Sequence, residues 1–78
     1  MTMEMLEKRY PIGTQVKYTG DYPIRDGSII KVKKGDVGTV IGTNPVGDLR
    51  ISWENGNIVL LTPGKDHFSM LYTNKKPF

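Results

Sequence analysis

Residues 34 to 56 read KGDVGTVIGTNPVGDLRISWENG, and this stretch decides the fold. Val37, Thr39 and Ile41 alternate with Gly38, Val40 and Gly42. Leu49, Ile51 and Trp53 alternate with Arg50, Ser52 and Glu54. Period-two alternation sends one set of side chains to a buried face and the other to water, so both runs read as strands. The second run is the cleaner, with three large apolar residues set against two charges and a serine. Gly38 and Gly42 weaken a strand and mark a bend or a close approach of backbones. Asn44-Pro45 and Val46-Gly47-Asp48 carry turn chemistry. Asn55-Gly56 is the strongest hairpin signal in the chain, and it joins the second run to Ile58–Leu61.

Working outward, residues 2 to 9 have the pattern of a short helix, with Thr2 as N-cap and Met3, Met5 and Leu6 in a partial apolar stripe. Pro11 ends it. Two turns are not stable alone, so the helix must dock. Its methionines are expected to cover one end of the fold. Gly13 to Thr19 is the first strand, with Val16 and Tyr18 on one face. A long irregular segment follows, Gly20 to Gly35. Within it, Ser28 to Lys33 can pair as an edge strand, with Lys31 and Lys33 guarding the exposed side. On the other flank, Ile58 to Leu61 is continuously apolar and is expected to be buried on both faces. Thr62 to Asp66 reads as a tight turn, one turn of 3₁₀ helix, and Phe68, Met70 and Tyr72 mark a closing strand. Thr73 to Phe78 is a polar tail. The expected fold class is all-β: a small barrel of five or six short strands with a short N-terminal helix. Its domain plan is a helix or arm at 1–8, the barrel at 9–72 and the tail at 73–78.

Seventy-eight residues make one domain, and a chain this short buries roughly 60% of its unfolded surface. There is no cysteine, which removes disulfides and thiolate metal sites. No apolar run approaches the roughly 20 residues that span a bilayer. The N-terminus has acids where a signal peptide is basic. A cytoplasmic protein is expected. A net charge of +3 permits contact with nucleic acid without demanding it.

Four motifs, in order and at matching spacing, carry a resemblance. They are Tyr10-Pro11-Ile12-Gly13-Thr14-Gln15-Val16, Lys34-Gly35-Asp36-Val37-Gly38-Thr39-Val40, Ile51-Ser52-Trp53-Glu54-Asn55-Gly56 and Pro63-Gly64-Lys65-Asp66-His67-Phe68. Together they resemble the small SH3-like barrel proteins of the domain-of-unknown-function family DUF4314. The resemblance covers residues 9 to about 72. It implies an SH3-like barrel and a habitat in phages, plasmids and other mobile elements, and it implies no activity. Glu54 departs from the family's Asp, and Lys33-Lys34 from a proline-rich approach to the glycine. Asp21 to Val32 has no clear counterpart. A weaker echo, Gly35-Asp36-Val37-Gly38-Thr39-Val40, is similar to the KOW modules of ribosomal and transcription proteins.

Chemistry is sparse. His67 is the only histidine, and proximity of Asp66 and Ser69 in sequence does not make a triad. Asp21, Asp26 and Asp36 lack the spacing of a cation loop. Gly35-Asp36-Val37-Gly38 lacks the lysine and the following helix of a phosphate cradle. No catalytic residue, metal site or cofactor is expected. Trp53 belongs in the core. Tyr10 and Tyr22 sit beside prolines, where they either line a peptide groove or cap the barrel ends. Tyr18 and Tyr72 sit in strands and are expected to be half-buried. Arg25, Lys31, Lys33 and Lys34 form the densest basic cluster, with Arg50 a candidate to join it across the sheet. They either guard an edge or hold a phosphate backbone. The expected function is non-enzymatic binding of a protein partner, with inhibition of a host defence complex as one form it takes. The alternatives are nucleic-acid binding through the basic loop, or an oligomeric sponge for a small nucleotide signal. The candidate surface is Tyr10, Tyr22, Arg25, Lys31, Lys33, Lys34 and Arg50.

Overall fold

The computed structural model describes residues 3–72. Thr2, the expected N-cap, and the 73–78 tail lie outside the described residues. Helix α1 (Met3–Arg9) leads into seven strands: β1 (Gln15–Tyr18), β2 (Ile24–Asp26), β3 (Ile29–Val32), β4 (Val37–Thr43), β5 (Leu49–Trp53), β6 (Ile58–Leu61) and β7 (Phe68–Tyr72). Five of them form one antiparallel sheet in the order β6-β5-β4-β1-β7, and β2 and β3 pair as a separate ribbon. Strands β4, β5 and β6 thus form a meander, β1 pairs with β4, and the last strand, β7, returns to flank β1. This is the strand order of a small SH3-like fold.

The strand count exceeds the expected five or six because the segment Gly20 to Gly35 is not irregular. Ser28 to Lys33 does supply a strand, but that strand pairs with Ile24–Asp26 in the ribbon and not with the main sheet. Hydrogen bonding does not close the five-stranded sheet, and β6 and β7 are its two edges.

Alternation places the core. Leu49, Ile51 and Trp53 are all buried, with Arg50 and Ser52 outside. Across the ladder, Val40 faces Ile51 and Gly38 faces Trp53. A bulge between Val40 and Gly42 leaves Ile41 unpaired and exposed, since the extra residue breaks the alternation that a pattern of apolar residues assumes. From the other side, Val16 and Tyr18 of β1, Leu61 of β6, Val32 of β3 and Leu6 of α1 complete the core.

Two expectations are corrected. The apolar run Ile58–Leu61 is buried on one face only: Leu61 is fully buried, whereas Ile58 is 61% and Leu60 45% exposed. An edge strand with nothing on its outer face follows alternation whatever its composition. The helix docks through Leu6, while Met3 and Met5 stay exposed. Across its seven residues, about two turns, one position is buried, and leucine holds it.

Turn chemistry follows the sequence. Gly56 takes φ +95° where the β5–β6 connection reverses, closed by the Trp53 carbonyl accepting from the Gly56 N–H at 2.9 Å. The 62–66 segment closes on one acceptor, the Thr62 carbonyl, which receives the N–H groups of Lys65 and Asp66. The Asp66 carboxylate accepts from the Thr62 N–H in return.

Candidate functional site

The β2–β3 ribbon is the feature that stands apart from the sheet. The Asp26-Gly27 pair makes its tip, with Gly27 at φ +63°. Asp26 pairs with Ile29, Arg25 with Ile30 and Ile24 with Val32, and a shift between Ile24 and Arg25 leaves Lys31 as the extra residue. Its root is apolar: Val32 is fully buried and Ile24 packs on the core. Its tip is open, with Arg25, Asp26, Ile29 and Ile30 all exposed.

Four sets of polar contacts fix the ribbon against the sheet. The Lys31 carbonyl accepts from the side-chain amides of Asn55 at 2.8 Å and Asn57 at 3.0 Å, both on the β5–β6 turn. The Asp36 carboxylate accepts from the Lys33 N–H at 2.9 Å and from Asn55 Nδ2 at 3.3 Å, and Lys33 Nζ lies 3.1 Å from it. The Lys33 N–H first, and then its ammonium, hold the Asp36 carboxyl below its ordinary range. Lys34 Nζ sits 3.0 Å from Asp21, and this hydrogen-bonded ion pair lowers the Asp21 carboxyl.

The fourth contact begins in the core. Tyr18 Oη donates to the Tyr22 carbonyl at 2.7 Å. Burial, with a smaller push from Asp66, raises the Tyr18 hydroxyl above its ordinary range, so it stays a donor. The same ring packs over Gly20. A Cβ there would lie 2.6 Å from Tyr18 Cζ, so only glycine passes under the ring. The backbone of Tyr22 is therefore held while its ring is 85% exposed.

The expected binding residues separate into three groups. Tyr22, Arg25, Lys31, Lys33 and Lys34 lie on the ribbon and its flanks. Tyr10 does not. Its ring is half-buried against Phe68, with centroids 5.8 Å apart at 56°, which is end-capping packing. Arg50 stands on β5 between Gly42 and Leu60, in the other sheet. Tyr18 is buried to 6% exposure, more than the expected half, and the Tyr72 side chain lies outside the described residues. Within the basic cluster, Lys33 and Lys34 are paired to carboxylates, whereas no ion pair holds Arg25 or Lys31 among the described residues.

Sequence reasoning passed over Ile29 and Ile30 as surface residues and Asn55 and Asn57 as clamps. The isoleucines did leave a signal, because two adjacent residues of a strand cannot share a buried face. The asparagines left none, since their acceptor is a backbone carbonyl more than twenty residues away in sequence.

The fold and this surface define a small all-β protein with SH3-like strand order and one clamped, exposed ribbon. The chain belongs to the domain-of-unknown-function family DUF4314, whose family model matches residues 1–71. The match takes in the N-terminal helix as well as the strands. A comparison with curated proteins finds no match. No helix among the described residues is long and apolar enough to cross a membrane.

Proposed function

We propose that this protein is a non-enzymatic binding module that captures a protein partner on the β2–β3 ribbon. The observation that carries this is Tyr22. Its ring is almost fully exposed on a backbone held from the core by Tyr18. A large aromatic group on an immobilised backbone loses little entropy on binding, and tyrosine and arginine are the residues that concentrate binding energy in interfaces. Ile29, Ile30 and Arg25 extend the same ribbon. In this reading the protein acts in the cytoplasm as an accessory factor of a mobile element, and its target is a host protein such as a component of a defence complex.

Charge favours a protein target over nucleic acid. Between Gly20 and Asp36, four cations (Arg25, Lys31, Lys33, Lys34) are offset by three carboxylates (Asp21, Asp26, Asp36). A surface so nearly neutral neutralises few phosphates.

The test is partner capture by the full chain, compared with Tyr22→Ala and Arg25→Ala. Both side chains are exposed, so the variants are expected to melt like the parent while capture is lost. Capture that persists in both variants overturns the ribbon as the binding surface. Binding to duplex or single-stranded nucleic acid that falls steeply with salt replaces the protein-binding reading with the nucleic-acid one.

A further inference from the structure

Asparagine stands at positions 44, 55, 57 and 74, and only Asn55 is followed by glycine. Glycine has no Cβ to keep its nitrogen away from the preceding side chain, so Asn-Gly is the pair in which that nitrogen most readily attacks the asparagine Cγ. After Asn44, Pro45 has no N–H to give up, and after Asn57 the β-branched Ile58 shields the nitrogen. Asn55 and Gly56 are both exposed on the β5–β6 turn. The amide open to this attack is also the one that clamps the ribbon. Asn55 Nδ2 donates to the Lys31 carbonyl at 2.8 Å and to the Asp36 carboxylate at 3.3 Å, while Asn55 Oδ1 accepts from the Asn57 N–H at 3.0 Å. Both partners of Nδ2 are acceptors, so the contact exists only while a donor stands at that atom.

We propose that Asn55-Gly56 is a self-modification site, a one-way switch that unclamps the β2–β3 ribbon by deamidation. The Gly56 nitrogen gives its proton to solvent and bonds to Asn55 Cγ. The Cγ–Nδ2 bond breaks, and the nitrogen takes up a proton and leaves as ammonia. Water then opens the cyclic imide at one or other carbonyl, leaving aspartate or isoaspartate at position 55. Water is the only co-reactant. Either product sets a carboxylate against the Asp36 carboxylate and the Lys31 carbonyl, where the donor had been. Lys33 Nζ, already 3.1 Å from Asp36, then has two carboxylates beside it, and Asn57 alone still donates to the Lys31 carbonyl. Isoaspartate also adds a methylene to the backbone of the turn. The clamp gates its own loss. In the folded chain the Gly56 N–H is held by the Trp53 carbonyl at 2.9 Å, and the Asn55 amide by the contacts above. Ring closure therefore waits for local opening of this exposed turn. The switch stands whether or not the ribbon binds a partner.

The test ages the folded full chain at mildly alkaline pH in heavy-oxygen water, beside the same chain in denaturant, and maps both by peptide mass spectrometry. The expected result is that Asn55 becomes an acid carrying heavy oxygen, as aspartate and isoaspartate, more slowly folded than unfolded. Asn44 and Asn57 keep their amides. The product has gained a negative charge and is separated from the parent by ion exchange. Its β3 amides are expected to exchange about tenfold faster, equivalent to about 1.4 kcal/mol, with β5 unchanged. Asn55→Asp reproduces this loosening without ageing and exceeds Asn55→Ala, because a carboxylate repels where alanine only leaves a gap. A folded chain that keeps its Asn55 amide after the denatured chain has lost it overturns the proposal. So does a deamidated fraction, or an Asn55→Asp variant, whose ribbon exchanges like the parent's.

Discussion

Gly38 lies opposite Trp53 across β4 and β5, and a Cβ on Gly38 would stand 2.9 Å from Trp53 Cε3. The same atom would collide with Ile51 Cγ2. The indole occupies the space that a side chain at 38 would need, which is how a fold of this size buries its one tryptophan. Gly38→Ala is therefore expected to destabilise by about 1–3 kcal/mol through overpacking. Gly42, four residues further along β4, has open space where its Cβ would go. Gly42→Ala is expected to be neutral or mildly stabilising, by less than about 1 kcal/mol. Thermal melts of the two variants decide this, and equal losses would contradict the packing seen at Gly38.

Tyr18→Phe keeps the buried ring and deletes only the donor to the Tyr22 carbonyl. The expected loss is about 0.5–1.5 kcal/mol. The loss of order is expected to be local, with faster amide exchange around residues 20–24 and unchanged exchange in β5. If partner capture runs through Tyr22, the same substitution weakens it without touching the exposed ring.

Asn55→Ala removes a donor shared between the Lys31 carbonyl and the Asp36 carboxylate. Asn57 still reaches the Lys31 carbonyl, so this single change is expected to cost about 1 kcal/mol. The double variant Asn55→Ala/Asn57→Ala leaves that carbonyl unmet from this turn. It is expected to cost more than the sum of the two single changes, read from denaturant midpoints of all three proteins.

Three groups link stability to pH, Asp36 and the exposed Asp21 at the acid end and Tyr18 at the alkaline end. Asp36 has a lowered folded value, so its contribution is present above the ordinary carboxylate value of 3.8 and is lost as pH falls through the folded one. Tyr18 has a raised folded value, so its contribution is present below the ordinary 10.0 and is lost as pH rises through the folded one. Melting temperature is expected to drop below pH 4 and above pH 10. Asp36→Asn flattens the acid limb, and Tyr18→Phe the alkaline one.

Legibility differed sharply between elements. Leu49, Ile51 and Trp53 announced both the strand and its buried face, because a central strand with one covered side obeys a two-residue period. Ile58–Leu61 has the stronger apolar run and yet was misread, because its composition does not say whether a neighbour exists on its outer side. The ribbon was half legible. Asp26-Gly27 marked its tip, but three-residue β2 is too short for periodicity to detect. Within the candidate surface, Tyr10 and Tyr22 look alike in sequence, each followed by Pro-Ile. Tyr10 packs against Phe68 and Tyr22 faces solvent.

Local chemistry alone determined that this chain is all-β with one short helix, where its turns fall and which residues of β1 and β5 face inward. Those properties depend on neighbours in sequence, through backbone preference and alternation. Only the tertiary structure decided that Gly38 is crowded and Gly42 is not, that among the described residues Lys33 and Lys34 have ion-pair partners while Arg25 has none, and that β6 ends the sheet. Each of these depends on which distant residue occupies the adjoining space. The Lys31 carbonyl meets Asn55 and Asn57 only after the chain has closed a loop of more than twenty residues.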